Sequence, residues 1–161
     1  MIEGWRVNRD GCGVDDLSYC GAVEVTVPAG TAWDDFVAAA VDAGWVGVEC
    51  LSGLPGTVGE AVAANRTAYG QAVADTVASV RTVDDEGRQH TVACADCGFG
   101  EGTSRFAGDP DSIASVDFLM RQGDLTRPVT DAALVALLGI APGERVALTR
   151  VRAALLVDLS R

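Results

Sequence analysis

Leu51–Gly70 reads LSGLPGTVGEAVAANRTAYG, and the rest of the chain is organised around it. The stretch is short of charge and is punctuated by Gly53, Pro55, Gly56, Gly59 and Gly70. Glycines this close together let a backbone turn sharply and approach a ligand with no side chain in the way. Consecutive backbone N–H groups in such a loop, followed by a helix start, can hold an anion. On its residues alone the stretch also reads as a glycine-rich surface connection.

Upstream, Val23–Val27 (VEVTV) alternates strictly, so Val23, Val25 and Val27 are expected to face a core. Pro28-Ala29-Gly30 turns the chain. Thr31 is expected to cap a helix, with Asp34 in the capping-box position. Trp33, Phe36, Val37, Ala40 and Val41 form its apolar stripe, and Gly44 ends it. Pro55 suits the first turn of a short helix. Downstream, Thr76–Val83 and Arg88–Ala93 read as a hairpin around Asp84-Asp85-Glu86-Gly87. A second glycine-containing stretch covers Cys97–Gly108. Ile113–Met120 is a strand whose apolar face carries Ala114, Val116, Phe118 and Met120. A capped helix over Thr130–Leu138 stops at Gly139, and a last amphipathic helix runs from Leu148 to Leu159 with Leu148, Val151 and Leu155 on one side. The pattern predicts an α+β fold: an antiparallel sheet flanked by helices over residues 1–125, then a C-terminal helical pair over 126–161.

The 161 residues suffice for one domain plus a small appendage, and 48% hydrophobic content is above that of a disordered chain. A net charge of −11 argues against nucleic acid as a partner. Every basic residue is arginine, which excludes Schiff-base chemistry and a lysine general base. No apolar run reaches the roughly 20 residues of a membrane span, and the first residues lack an apolar signal core, so a cytoplasmic protein without membrane contact is expected. Cys12, Cys20, Cys50, Cys94 and Cys97 are an odd set, which argues for free thiols. Cys94 and Cys97 form a C-x-x-C, but a zinc site needs about four ligands, and buried thiols are the favoured reading over any metal.

From about Val23 to Leu156 the chain resembles the UDP-N-acetylmuramate dehydrogenase family, flavin enzymes also called UDP-N-acetylenolpyruvoylglucosamine reductases. The residues that carry the resemblance are GVECLSGLPGTVGEAVAANRTAYGQAVADTVASVR, DCGFGEGTSRFAG and RPVTDAALVALLGIAPGERVALTRVRAALL. It implies the fold of that family's second FAD-binding subdomain followed by the first helices of its substrate domain. On this resemblance the first subdomain, with its own glycine-rich FAD loop, and the serine proton donor have no counterpart here. Glu101-Gly102 stand where the family has Tyr-Arg. The arginine stabilises an enolate, and a cationic donor of that kind contributes several kcal/mol to a transition state. Glu101 would also repel an anionic enolpyruvyl group. Near Asn65 the usual N-x-G-A-Y-G reads Asn65-Arg66-Thr67-Ala68-Tyr69-Gly70, and Ala72 and Ala107 replace a common glutamate and lysine.

These departures lead to the expectation that the chain binds no flavin tightly and uses no cofactor. A repurposed small-molecule enzyme is then expected: a cofactor-independent cyclase, isomerase or dehydratase acting on an apolar secondary-metabolite intermediate. Glu101 and Glu60 are its candidate acid–base pair, with Tyr69 beside them, and Ser52, Asn65, Arg66, Ser104 and Arg105 are candidate substrate contacts. Half of a split FAD-dependent oxidoreductase and a catalytically dead binding protein are the alternatives. The face that packs on the first subdomain in the family is apolar, so a homodimer is expected to cover it.

Overall fold

The computed structural model describes residues 5–8 and 22–160. Its centre is an antiparallel sheet of six strands: β1 (Arg6–Asn8), β2 (Ala22–Pro28), β3 (Trp45–Val46), β6 (Val77–Val83), β7 (Gln89–Ala93) and β8 (Ile113–Gln122). Their order is β1-β2-β8-β6-β7, with β3 pairing the end of β8. The two-stranded hairpin β4 (Thr67–Ala68) and β5 (Gln71–Ala72) stands apart. The strict alternation of β2 is realised: Val23, Val25 and Val27 are buried and register with Met120, Phe118 and Val116 of β8. One apolar face thus runs across two strands whose paired residues lie 89 to 97 positions apart in sequence (Val27 to Val116, Val23 to Met120). Between Val77 and Ser79 the register shifts, which leaves Ala78 as the extra residue of a bulge.

Helix α1 (Trp33–Ala43) covers that face. Trp33, Phe36, Val37, Ala40 and Val41 are buried as the stripe predicts, and Gly44 ends the helix at φ +77. Phe36 stacks on Phe118 with centroids 4.5 Å apart, and Trp33 meets Phe36 edge-on at 5.5 Å. The expected cap is corrected. Ala32, not Thr31, is the N-cap and makes no side-chain bond, and Asp34 is used elsewhere. Pro55 also lies outside the following helix, α2 (Val58–Ala63), which Thr57 caps by accepting the Glu60 N–H.

The C-terminal helices are α3 (Ala132–Leu138), capped by Asp131 and ended by Gly139, and α4 (Leu148–Leu159). Leu148, Val151 and Leu155 are buried, as their spacing predicts. Leu148 joins the main core, whereas Val151 and Leu155 build a second cluster with Cys50, Val129, Leu134, Leu138 and Val146. An ion pair fixes α4 to α1: Arg152 donates to both carboxylate oxygens of Asp34, at 2.7 and 3.0 Å. No helix among the described residues is long and apolar enough to cross a membrane.

Candidate functional site

The glycine-rich stretch begins with a single 3-10 turn, Glu49–Leu51. Ser52 closes it, its Oγ donating to the Glu49 carbonyl at 2.6 Å. Gly53 follows at φ +78, and its N–H donates to Asp34 Oδ1 at 2.6 Å. Gly56 sits at φ +98, and its carbonyl accepts from the Trp33 N–H at 2.9 Å. Val58 and Gly59 donate to Thr31 and Ala29. The loop is therefore stitched to the entrance of α1, and both positive φ angles are ones that glycine adopts without strain. A Cβ on Gly56 would meet only the ends of two side chains, Glu60 Oε2 at 3.2 Å and Arg66 Nη2 at 3.3 Å. The Gly56 backbone is exposed between a carboxylate and a guanidinium.

The end of α2 is tied to the second glycine-rich stretch. Buried Asn65 donates to the Gly100 carbonyl at 2.9 Å and accepts from the Ala74 N–H at 3.0 Å. Buried Ser104 donates to the Ala63 carbonyl at 2.8 Å. Asn65 is held at φ +41 to do this. Asn65 and Ser104 thus serve as fasteners. Arg105 is exposed and donates to the Asp96 carbonyl at 3.3 Å. Glu101 stands exposed at the tip of this loop. Glu60 is exposed too, and the Thr57 hydroxyl donates to its Oε1 at 3.2 Å, so it belongs to the cap of its own helix.

Tyr69 lies elsewhere. It and Gly70 form the two-residue turn between β4 and β5, with φ of +51 and +81, the paired positive angles of a type I′ hairpin. Beneath the turn lies a network that sequence reading missed. Glu49 is fully buried; its carboxylate accepts from the Gly47 N–H at 2.8 Å and from Gln71 Nε2 at 2.8 Å. Gln71 Oε1 in turn accepts from the Cys50 N–H at 3.0 Å. The available signal was a lone acid inside the apolar run GVECL. Tyr69 lines two cavities. One, of about 660 Å³, is bounded by Glu49, Gln71, Arg121, Arg127 and Asp131 among others. The other, of about 420 Å³, also touches Ser52, Leu54, Leu155 and Leu159. The site residues expected from the sequence therefore fall into three places: Glu60 with Arg66 at Gly56, Asn65 with Ser104 behind the 97–108 loop that carries exposed Glu101 and Arg105, and Tyr69 with Ser52 at the second cavity.

The three described thiols are all shifted toward the protonated form. Burial pushes Cys50 up to about 12, with Glu49 and Asp131 adding to the effect, and burial pushes Cys97 up to about 11. Cys94 is raised for the same first reason. Among the described residues no group of three or more His, Cys, Asp or Glu is placed to hold a metal. Cys12 and Cys20 lie outside the described residues.

Comparison with known proteins follows the same residues. A family model described as "FAD binding domain" matches residues 13–93. The UDP-N-acetylenolpyruvoylglucosamine reductase of Cutibacterium acnes is 44% identical over 142 residues, covering 85% of this chain and 37% of that protein. The same enzyme of Thermobifida fusca is 42% identical over 147 residues, covering 88% of this chain and 41% of its own length. Among solved structures, the UDP-N-acetylenolpyruvylglucosamine reductase (MurB) of Thermus caldophilus superimposes with a TM-score of 0.51 at 26% identity, over 84% of this chain and 42% of that one. The chain therefore spans about two-fifths of the length of these relatives. The resemblance read from SGLPGTVG and AYGQ is thus upheld, as is the α+β class. The expectation of no cofactor is overturned: the family match and the relatives point to FAD. That expectation weighed the absent first subdomain together with Glu101-Gly102, Ala72 and Ala107, none of which lies in the Gly53–Gly56 loop. Gly53 and Gly56 of that loop are both left-handed, and the backbone of Gly56 is exposed, bordered by the ends of the Glu60 and Arg66 side chains.

Proposed function

We propose a function that starts from one premise: the chain belongs to the FAD-binding domain family. On this reading the 161 residues supply one wall of the FAD site of a flavin-dependent reductase, and further polypeptide, in the same chain or another, supplies the opposite wall. The relatives that carry the name reductase extend well beyond the matched region, which supports a shared site.

One observation carries the reading. Gly56 exposes its backbone beside the Arg66 guanidinium, in a space that the Cβ of any other residue would enter. That surface fits one side of an anionic dinucleotide: the glycine permits close approach of the backbone, and Arg66 offsets diphosphate charge. Glu60 opposes it from the other side. FAD, when bound, supplies a centre that takes up and passes on hydride. The rest is done by the chain's own groups. Asn65 and Ser104 hold the 97–108 loop against α2, and this fixes where Glu101 stands relative to the wall. A carboxylate there repels an anionic enolpyruvyl group, so the reductive chemistry we assign acts on a different substrate. A cofactor-independent cyclase or isomerase has no support in the site. Glu60 is engaged with Thr57, and among the described residues neither Glu60 nor Glu101 borders the two cavities that Tyr69 lines.

The test is a titration of the purified chain with FAD, followed by amide NMR. Saturable shifts are expected at Gly56, Thr57 and Arg66. Arg66→Glu should weaken binding about threefold or more, the scale of an exposed charge in high dielectric, and Glu60→Gln should strengthen it. Absence of shifts at Gly56 and Arg66 up to millimolar FAD, or affinity indifferent to Arg66→Glu, would refute the assignment.

A further inference from the structure

The cavity of about 660 Å³ is separate in its lining from the Gly56 surface: none of Gly56, Glu60 and Arg66 borders it. Its size lies in the ordinary range for small-molecule sites, roughly 300–1,000 Å³. Its floor is apolar and comes from both cores, with Val46 and Met120 from the sheet and Val129 and Leu134 from the C-terminal cluster. Arg121, near the end of β8, and Arg127, in the segment leading to α3, stand exposed on its rim.

The charges on this cavity are used unequally. Its three carboxylates are engaged within the fold. Both oxygens of Glu49 accept hydrogen bonds, from Gly47 and Gln71. Asp75 accepts from the Ala72 N–H, and Asp131 from the Leu134 N–H. Arg121 and Arg127 make no ion pair or side-chain hydrogen bond among the described residues. A guanidinium has a rigid fork of donors suited to carboxylate or phosphate.

The Tyr69 side of the lining is preorganised. A bulky side chain in the left-handed region is strained and persists only where its surroundings over-determine it. Tyr69 is held there at φ +51 by the hairpin, and the buried Glu49–Gln71–Cys50 network anchors that hairpin from below.

We propose that this cavity binds an amphipathic organic anion, its apolar body lying against Val46, Met120, Val129 and Tyr69 and its carboxylate or phosphate head on Arg121 and Arg127. The inference does not rest on the FAD reading, since the two surfaces share none of the residues named for them.

Octanoate, octyl phosphate and octanol serve as probes, titrated separately into the chain and followed by amide NMR. Octanoate and octyl phosphate are expected to give saturable shifts at Gly47, Gly70, Gln71 and Thr130, and the tighter of the two identifies the head group. Octanol should bind at least fivefold more weakly. The double variant Arg121→Gln/Arg127→Gln should lose at least fivefold in affinity for both anions. Its amide spectrum away from the two exposed positions should be unchanged, which separates lost binding from lost folding. Four results would overturn the proposal: no saturable shift with either anion, shifts confined to Leu54 and Leu159 at the smaller cavity, octanol binding within fivefold of octanoate, or a smaller loss in the double variant.

Discussion

Asp34 and Arg152 are 118 residues apart in sequence and join α1 to α4 through two hydrogen bonds of 2.7 and 3.0 Å. Asp34 Oδ1 also takes the Gly53 N–H at 2.6 Å, so one carboxylate fixes both the last helix and the start of the glycine-rich loop. At an effective dielectric near 20, unit charges about 4 Å apart attract by about 4 kcal/mol. The Asp34 side chain is 36% exposed and that of Arg152 17%, so solvent screening removes much of this. A net coupling of about 1–2 kcal/mol remains, above a typical surface pair because the contact is bidentate and partly enclosed. The measurement is a double-mutant cycle with Asp34→Asn and Arg152→Gln, read by urea unfolding. Asn retains an acceptor for Gly53 while removing the charge.

The pH dependence has a definite sign. The Arg152 hydrogen bond is the first cause holding the Asp34 carboxyl below its usual value; burial works against it, and the Gly53 N–H adds to it. A depressed carboxylate contributes stability that is complete above its unfolded value, about 3.9, and is lost as pH falls through the lower native value. The native chain should therefore lose more stability than Asp34→Asn between pH 6 and pH 3. A coupling below about 0.3 kcal/mol, or parallel pH profiles for the two proteins, would refute the reasoning.

Glu49→Gln should destabilise the chain by about 2–3 kcal/mol, because the amide N–H₂ must face one of two buried donors that now find an acceptor; the midpoint of urea unfolding checks this, and a loss under about 0.5 kcal/mol would mean that the network is dispensable. Cys50 and Cys97, pushed up to about 12 and about 11, should resist iodoacetamide at pH 8 in the native chain and react fully in denaturant; mass spectrometry of the alkylated chain reads each site, and rapid native labelling of either would contradict its burial.

Some of this was legible from local pattern. Val23, Val25 and Val27 alternate because one face of a strand is buried, and Leu148, Val151 and Leu155 recur because one stripe of a helix is. Glu60 shows the limit of the same reading. Thr57 and Glu60 form a Thr-x-x-Glu cap visible in the sequence, and the fold puts Glu60 to that use and not beside Tyr69 as an acid–base group. Asp34 shows the converse. Its position beside Thr31 suggested a capping box, and a distant arginine took the carboxylate instead, which no local rule anticipates.

The sequence by itself determined the family, because SGLPGTVG and AYGQ encode backbone turns that few chains need, and it determined the α+β class through the periods of its apolar residues. Tertiary structure alone decided which groups share a surface. The strand order β1-β2-β8-β6-β7 brings distant residues such as Val27 and Val116 into register, so Arg121 and Arg127 come to line one cavity with Tyr69, and packing of α4 on α1 brings Arg152 to Asp34. The physical reason is that a period records only which face of an element is buried. Which elements meet, and which charges are left without a partner when they do, is fixed by packing across the whole chain.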